Sequence, residues 1–216
     1  MTPAPAAAPE PARVSPSLRA RLAGQARRAL SLIAALAALA LHPAAAAPVA
    51  YLLQPEKSVV GFETDFGTGG IKITGRMPIT AADLVIDFQK VANSRVDVTV
   101  DAAGARTSNP LATDAMRGAK VLAVQQFPTL RFVSTKVSPK GDGAEIAGNL
   151  TIRDVTRPVV LAAQIYRQKG TVEGDLSQLS ILLTGAVNRS DYGANGFPDM
   201  VGDEVRLKIL ARIQRK

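Results

Sequence analysis

The side chains here that could do chemistry are carboxylates, arginines and a few tyrosines. Cysteine is absent, and the single histidine, His42, sits near the amino terminus. Residues 48–216 therefore hold neither an imidazole nor a thiol. A Ser-His-Asp triad, a Cys-His dyad, a thiolate or histidine metal site and a disulfide are all excluded within that stretch. Asp83, Asp87, Asp97 and Asp101 alternate with apolar neighbours and read as solvated outward residues. Glycoside chemistry would need two carboxylates facing one another across a cleft. Asp191, Asp199, Asp203 and Glu204 lack the regular ligand spacing of a calcium loop and read as loop solvation. Gly67, Gly69 and Gly70 are followed by neither a helix nor a Lys-Ser/Thr pair, so they carry no nucleotide signal.

The elements that must position these residues are strands. Val60 and Phe62 share a face, and Leu84, Ile86 and Phe88 alternate with Val85 and Asp87. Val96, Val98 and Val100 alternate with Arg95, Asp97, Thr99 and Asp101. Similar stripes run through Leu130 and Phe132, through Ile146, Gly148, Leu150 and Ile152, through Leu179, Ile181, Leu183 and Val187, and through Val205, Leu207 and Ile209. Period two with one apolar face is the signature of a half-buried strand. Turn residues at Gly67–Gly70, Pro139–Gly143 and Asn195–Pro198 separate the stripes. Eight or more antiparallel strands in one domain predict an all-β barrel or sandwich, and closure into a barrel removes exposed edges. Asn109–Val124 departs from this pattern. Asn109 can cap and Pro110 can start a helix, with Leu111, Ala115, Met116 and Ala119 at helical spacing, so one or two short helices are expected at one barrel mouth.

Ahead of the strands lies a different composition. Residues 29–41 read ALSLIAALAALAL, after Arg13, Arg19, Arg21, Arg27 and Arg28 and before Ala44–Ala47. A basic region, a short apolar run and small residues describe an export signal, here residues 1–47 with cleavage after Ala47. A run of thirteen residues is too short to span a bilayer comfortably. Five of the 26 Lys and Arg and one of the 18 Asp and Glu fall in the leader, which leaves residues 48–216 with a net charge of only about +4. No basic cluster interleaves with aromatics, so no nucleic-acid partner is expected.

The inward stripes hold Val, Leu, Ile, Gly and some Phe, which suits an apolar tunnel as well as it suits a solid core. Met116, Leu122, Phe127 and Phe132 are candidates for a lipid portal. The polar run Arg153–Pro158 reads as a hairpin, with a head-group-binding arginine as the lesser reading. In Asn188–Gly193, Asn188 and Asp191 can satisfy turn amides and Gly193 can supply a positive φ. Arg189 is expected to pair with a carboxylate across the barrel, ahead of contact with a ligand head.

These ordered motifs resemble the YceI-like family of lipocalin-like, polyisoprenoid-binding periplasmic proteins. The resemblance rests on Tyr51–Ser58, Gly75-Arg76, Asp83–Asp87, Asn109–Phe132, Gly148–Val159, Asn188–Gly193 and Val201–Val205, and covers nearly all of residues 51–210. It implies an eight-stranded antiparallel barrel with a helical excursion, whose pore takes a long isoprenoid or another amphiphile, quinone-like for example. It also implies a periplasmic location, no cofactor beyond that ligand, transient membrane contact, and a fold that can dimerise. The ligand-binding set it suggests is Val60, Phe62, Phe66, Phe88, Met116, Leu122, Phe127, Phe132, Ile152, Leu183, Arg189 and Tyr192, with no catalytic residue and no metal. Two departures stand out. Asp65-Phe66-Gly67 replaces the family's His-Phe-Gly, and Ala112–Met116 lacks the usual acidic residue and histidine.

Three functions compete. A non-catalytic carrier predicts an apolar tunnel. An envelope stress-related or structural scaffold, binding a protein partner, predicts a plugged bore and an outer apolar patch. A lipid isomerase or cyclase using Tyr, Asn, Arg and carboxylates predicts a strongly shifted acid or base beside the tunnel.

Overall fold

The computed structural model describes residues 47–216. Residues 1–46, on which the leader reading falls, lie outside the described residues.

Strands dominate the described chain. They are β1 (Val49–Leu53), β2 (Val59–Phe66), β3 (Ile71–Met77), β4 (Ile79–Ile86), β5 (Arg95–Asp101), the two-residue β6 (Arg106–Thr107), β7 (Thr129–Lys140), β8 (Gly143–Ile152), β9 (Val155–Arg167), β10 (Gln178–Asn188) and β11 (Val201–Arg215). One α-helix, α1 (Pro110–Arg117), lies between β6 and β7. Every pairing is antiparallel.

Two pairs of strands each act as one broken rail. A single turn of 3-10 helix at Pro55–Lys57 separates β1 from β2. Pro78 separates β3 from β4, because proline has no N–H to give to the ladder. Its carbonyl still accepts from the Asp101 N–H at 2.9 Å. Counted this way, eight rails run up and down in chain order. The last, β11, pairs with β2 over Val201–Leu210 and with β1 over Ile213–Arg215, which closes the sheet into a barrel. The expected eight-stranded antiparallel barrel is thus what the chain forms.

The up-and-down order sorts the connections to two ends. The upper end carries residues 67–70, 102–128 with α1, 153–154 and 189–200. The lower end carries residues 87–94, 141–142 and 168–177. At the upper end, the Asn109 side-chain oxygen accepts from the N–H groups of Leu111 at 2.9 Å and Ala112 at 3.4 Å, and Pro110 opens the helix. This satisfies two donors that a helix start leaves bare. Gly118 ends the single helix, donating its N–H to Asp114 and Ala115 carbonyls.

At the lower end one expectation fails. Asp87 is buried, not solvated. Its carboxylate accepts from the N–H groups of Gln89 and Lys90 and from the Asn93 amide, at 2.7–2.9 Å. The Lys90 N–H leads the contacts that hold the carboxyl below the usual carboxylate range. A period-two pattern placed Asp87 on the strand, but β4 stops at Ile86 and Asp87 serves the loop instead. The other strand aspartates keep to the wet face or to turns. Asp97 forms an ion pair with Arg131, and Asp101 accepts from the Gly104 N–H.

The candidate apolar cavity

Inward side chains of all eight rails enclose a cavity of about 530 Å³. Its walls come from β2, β5, β7, β8, β9, β10 and β11, among others. Its upper rim comes from α1 and the 189–200 segment. Below it, Tyr51, Leu84, Leu179 and Ile213 pack into a floor. Tyr51 is 1% exposed, and Leu179 and Ile213 are fully buried. The Tyr51 hydroxyl donates to the Leu176 carbonyl at 2.8 Å, which ties the floor to the lower 168–177 loop.

What keeps the bore open is the pairing of large residues with small ones. Phe62 faces Gly75 across the β2–β3 ladder. A Cβ on Gly75 would lie 2.2 Å from Phe62 Cζ, so the ring already fills the space above the glycine. Phe132 sits the same way over Gly148, at 2.4 Å from an added Cβ, and Leu161 over Gly185 at 2.7 Å. An aromatic ring laid over a glycine hugs the wall and does not cross the bore.

Ten of the twelve residues singled out from sequence line this cavity: Val60, Phe62, Phe66, Met116, Leu122, Phe132, Ile152, Leu183, Arg189 and Tyr192. Two do not. Phe88 lies past the end of β4, is exposed, and meets the edge of Tyr51 at 6.5 Å between ring centroids. Phe127 precedes β7, and the Arg153 guanidinium lies over its ring, 5.9 Å from the centroid. Neither occupies an inward strand position, which explains both departures.

The arginines also find other work. Among the described residues Arg189 makes no ion pair across the barrel, contrary to expectation. Its Nε donates to the Gly202 carbonyl, Nη1 to Ala194 and Gly196, and Nη2 to Val201, at 2.5–2.9 Å. Four carbonyls, those of Ala194 and Gly196 in the loop and of Val201 and Gly202 at the start of β11, converge on one guanidinium and tie the cavity's upper edge to the barrel. Arg153 Nη1 donates to the Gly193 carbonyl at 2.6 Å, and Arg157 Nε to the Asp191 carbonyl at 3.2 Å. The β8–β9 hairpin thereby clasps the turn before β11. Asp203 accepts from the Ser190 hydroxyl at 2.6 Å and the Ser190 N–H at 2.9 Å. The hydroxyl contact is the first cause of its carboxyl lying below the usual range, aided by the nearby Arg189 charge. Gly193 adopts φ +69°, as its place after the turn requires.

Tyr192 is 2% exposed, and burial pushes its phenol up to about 12. Among the described residues its hydroxyl has no hydrogen-bond partner. Sequence reasoning missed the rim residues Leu111, Phe197 and Met200 and the wall glycines Gly75 and Gly185 as parts of the site. The helical spacing of Leu111 was a usable signal for the first. Nothing local marks a glycine as the seat of a ring on another strand. Among the described residues, no three or more His, Cys, Asp or Glu side chains gather where they could hold a metal.

The family profile described as the YceI-like domain matches residues 51–213. The chain belongs to the YceI-like family. The YceI proteins of Salmonella arizonae and Salmonella newport are 35% identical to it over 82 residues, which are 38% of this chain and 43% of theirs. The match to these YceI-like relatives thus spans less than half of their length. Among solved structures, this YceI-like barrel is similar to Burkholderia cenocepacia BcnA, with a TM-score of 0.63 and 18% identity over 74% of this chain and 99% of that one. It is also similar to the Campylobacter jejuni YCEI protein, with a TM-score of 0.51 and 22% identity over 64% and 83% of the two chains. At such identities the likeness speaks for the YceI-like fold alone.

Proposed function

We propose that this YceI-like chain is an exported, non-catalytic binding protein that holds a long-chain isoprenoid or another amphiphile, such as a quinone-like lipid. One observation carries the reading: a cavity of about 530 Å³ with almost wholly apolar walls, bounded below by a packed floor. Each methylene buried from water contributes roughly 0.8 kcal/mol. About ten methylenes give on the order of 8 kcal/mol, the equivalent of micromolar affinity before association costs. A chain can therefore be held without ionic contacts. On this reading Val60, Phe62, Phe66, Met116, Leu122, Phe132, Ile152 and Leu183 contact the chain, and Arg189 acts by holding the rim loop. Export to the periplasm rests on the leader composition of residues 1–47.

Native mass spectrometry of protein purified without detergent tests the proposal. A stoichiometric long-chain adduct is expected, and Phe132→Trp, which overfills the bore, is expected to reduce it in protein that still melts cooperatively. A ligand-free mass with no uptake of offered prenyl or acyl chains would overturn the carrier reading and favour the scaffold one.

A further inference from the structure

We infer that the upper mouth of the barrel docks on the surface of a zwitterionic phospholipid bilayer, with three uncharged tips sunk among the lipid heads. The inference rests on the carrier reading, since a chain held in the cavity needs a bilayer to leave or to enter, and it adds the partner.

Three segments frame the mouth: residues 66–71, 107–113 and 192–198, which read FGTGGI, TSNPLAT and YGANGFP. Each contributes to the cavity lining. Together they hold no charged residue, and charge resumes on both flanks of each, at Asp65 and Lys72, Arg106 and Asp114, and Asp191 and Asp199. The lower connections differ. Residues 87–94 carry Asp87 and Lys90, 141–142 carry Asp142, and 168–177 carry Lys169, Glu173 and Asp175. Another upper connection, Arg153-Asp154, is charged but does not line the cavity.

The tips are apolar as well as uncharged. Leu111 is 79% exposed, Ile71 62%, and Met200, just behind the third tip, 49%. Phe66 and Phe197 are exposed too. Scattered singly, such residues would need no account. Four of these five line the opening itself, and Ile71 is the cross-strand partner of Phe66, so they form one apolar rim. The rim is also braced. The Gly67 N–H donates to the Met200 carbonyl at 2.8 Å, the Ser108 N–H to Thr74 at 2.9 Å, and the Gly196 N–H to Lys120 at 2.8 Å. A preformed rim meets a surface without paying to order its loops. A bilayer suits separate tips around a hole, because it needs no matching relief.

The flanking charges select the kind of bilayer. Lys72 is paired with Glu63, and Asp65 with Arg206. The other flanks are one cation, Arg106, and three anions, Asp114, Asp191 and Asp199. Flanks of that balance offer anionic heads no basic patch. Docking by apolar burial is therefore insensitive to salt.

The test uses detergent-free protein, vesicles of pure phosphatidylcholine, and variants at Ile71 and Gly69. Neither residue lines the cavity, and a Cβ added at Gly69 meets nothing within 4 Å. The chain has no tryptophan, so Gly69→Trp is a unique reporter. Its emission is expected to shift to the blue when vesicles are added, and it should bind them more tightly than wild type. Ile71→Asp and Gly69→Asp should each weaken vesicle binding by about tenfold or more. Val172→Trp, on the lower 168–177 loop, should show no shift. Wild-type affinity should change by less than about twofold between about 0.05 and 0.5 M salt. Absence of vesicle binding, or binding unmoved by both aspartate variants, would overturn the inference. So would affinity that requires phosphatidylglycerol and vanishes in high salt. A self-associated state that Ile71→Asp dissolves would also overturn it, in favour of a second copy on this face. Uptake of an offered prenyl chain is read separately, by native mass spectrometry, on wild type and Ile71→Asp, and is expected to be equal. Uptake without vesicle binding removes the docking alone, whereas vesicle binding without uptake brings down the carrier reading while the docking face stands.

Discussion

The two ends of this barrel share one inward-outward alternation and reach opposite results. At the lower end, large residues meet large ones: Tyr51 pairs with Leu84, and Leu179 with Ile213. They pack together into a buried core cluster. Higher up, Phe62 meets Gly75, and Phe132 lies over Gly148, so the rings rest against the wall and a cavity remains. Alternation alone decides which face is apolar. The sizes of cross-strand neighbours decide whether that face encloses a plug or a space.

The largest effect should come from breaking the plug. Tyr51→Ala removes the main floor side chain and is expected to cost about 3–5 kcal/mol in chemical denaturation. A loss under about 1 kcal/mol would mean the floor is not a packed plug. Next, Gly148→Ala attacks the open half. Its Cβ would fall 2.4 Å from Phe132 Cζ and 2.6 Å from the Val133 carbonyl. Overpacking of this kind costs about 1–3 kcal/mol. If the ring turns into the bore, native mass spectrometry should also register reduced chain uptake, whereas Tyr51→Ala need not change uptake.

A smaller effect is expected at the rim. Asn109→Ala removes the α1 cap, for about 1 kcal/mol, and hydrogen exchange should quicken in α1 but not in the lower 87–94 loop. The smallest is a pH effect. Asp203 has a lowered pKa in the folded state, so its contribution is present above the unfolded value near 3.9 and is lost as pH falls through the folded value. Asp203→Asn should flatten that part of the acid limb in urea titrations between about pH 5 and pH 2, with equal limbs counting against a Ser190 anchor.

Much of the fold was legible from single strands. Val60 and Phe62, Val96 to Val100, and Leu179 to Val187 each announce a face by spacing alone, and Asn109-Pro110 announces a helix start. The site was legible only where its residues sat within such stripes. Phe88 and Phe127 look equally apolar in sequence, yet each lies just beyond a strand end, where alternation no longer sets direction. The four-carbonyl grip of Arg189 was illegible for a related reason. It depends on where residues 194–202 return in space, and turn composition does not encode that path. The same holds for Asp87, whose partners are amides of the loop that follows it.

The ladder that shuts this barrel joins positions far apart along the chain. Tyr51 to Leu53 pair with Arg215 to Ile213, and the neighbouring Gln54 and Gln214 side chains bond across a separation of 160 residues. Hairpins such as β8–β9 can zip within a few residues, but this last seam carries the largest loop-closure entropy in the fold. Loop-closure entropy therefore predicts that closure comes late on the folding path, with the apolar interior a curved open sheet until then. On the proposed carrier reading, a greasy chain laid onto that sheet sideways would not have to thread past the rim, so folding in the presence of lipid and filling of the finished barrel would be kinetically distinct routes.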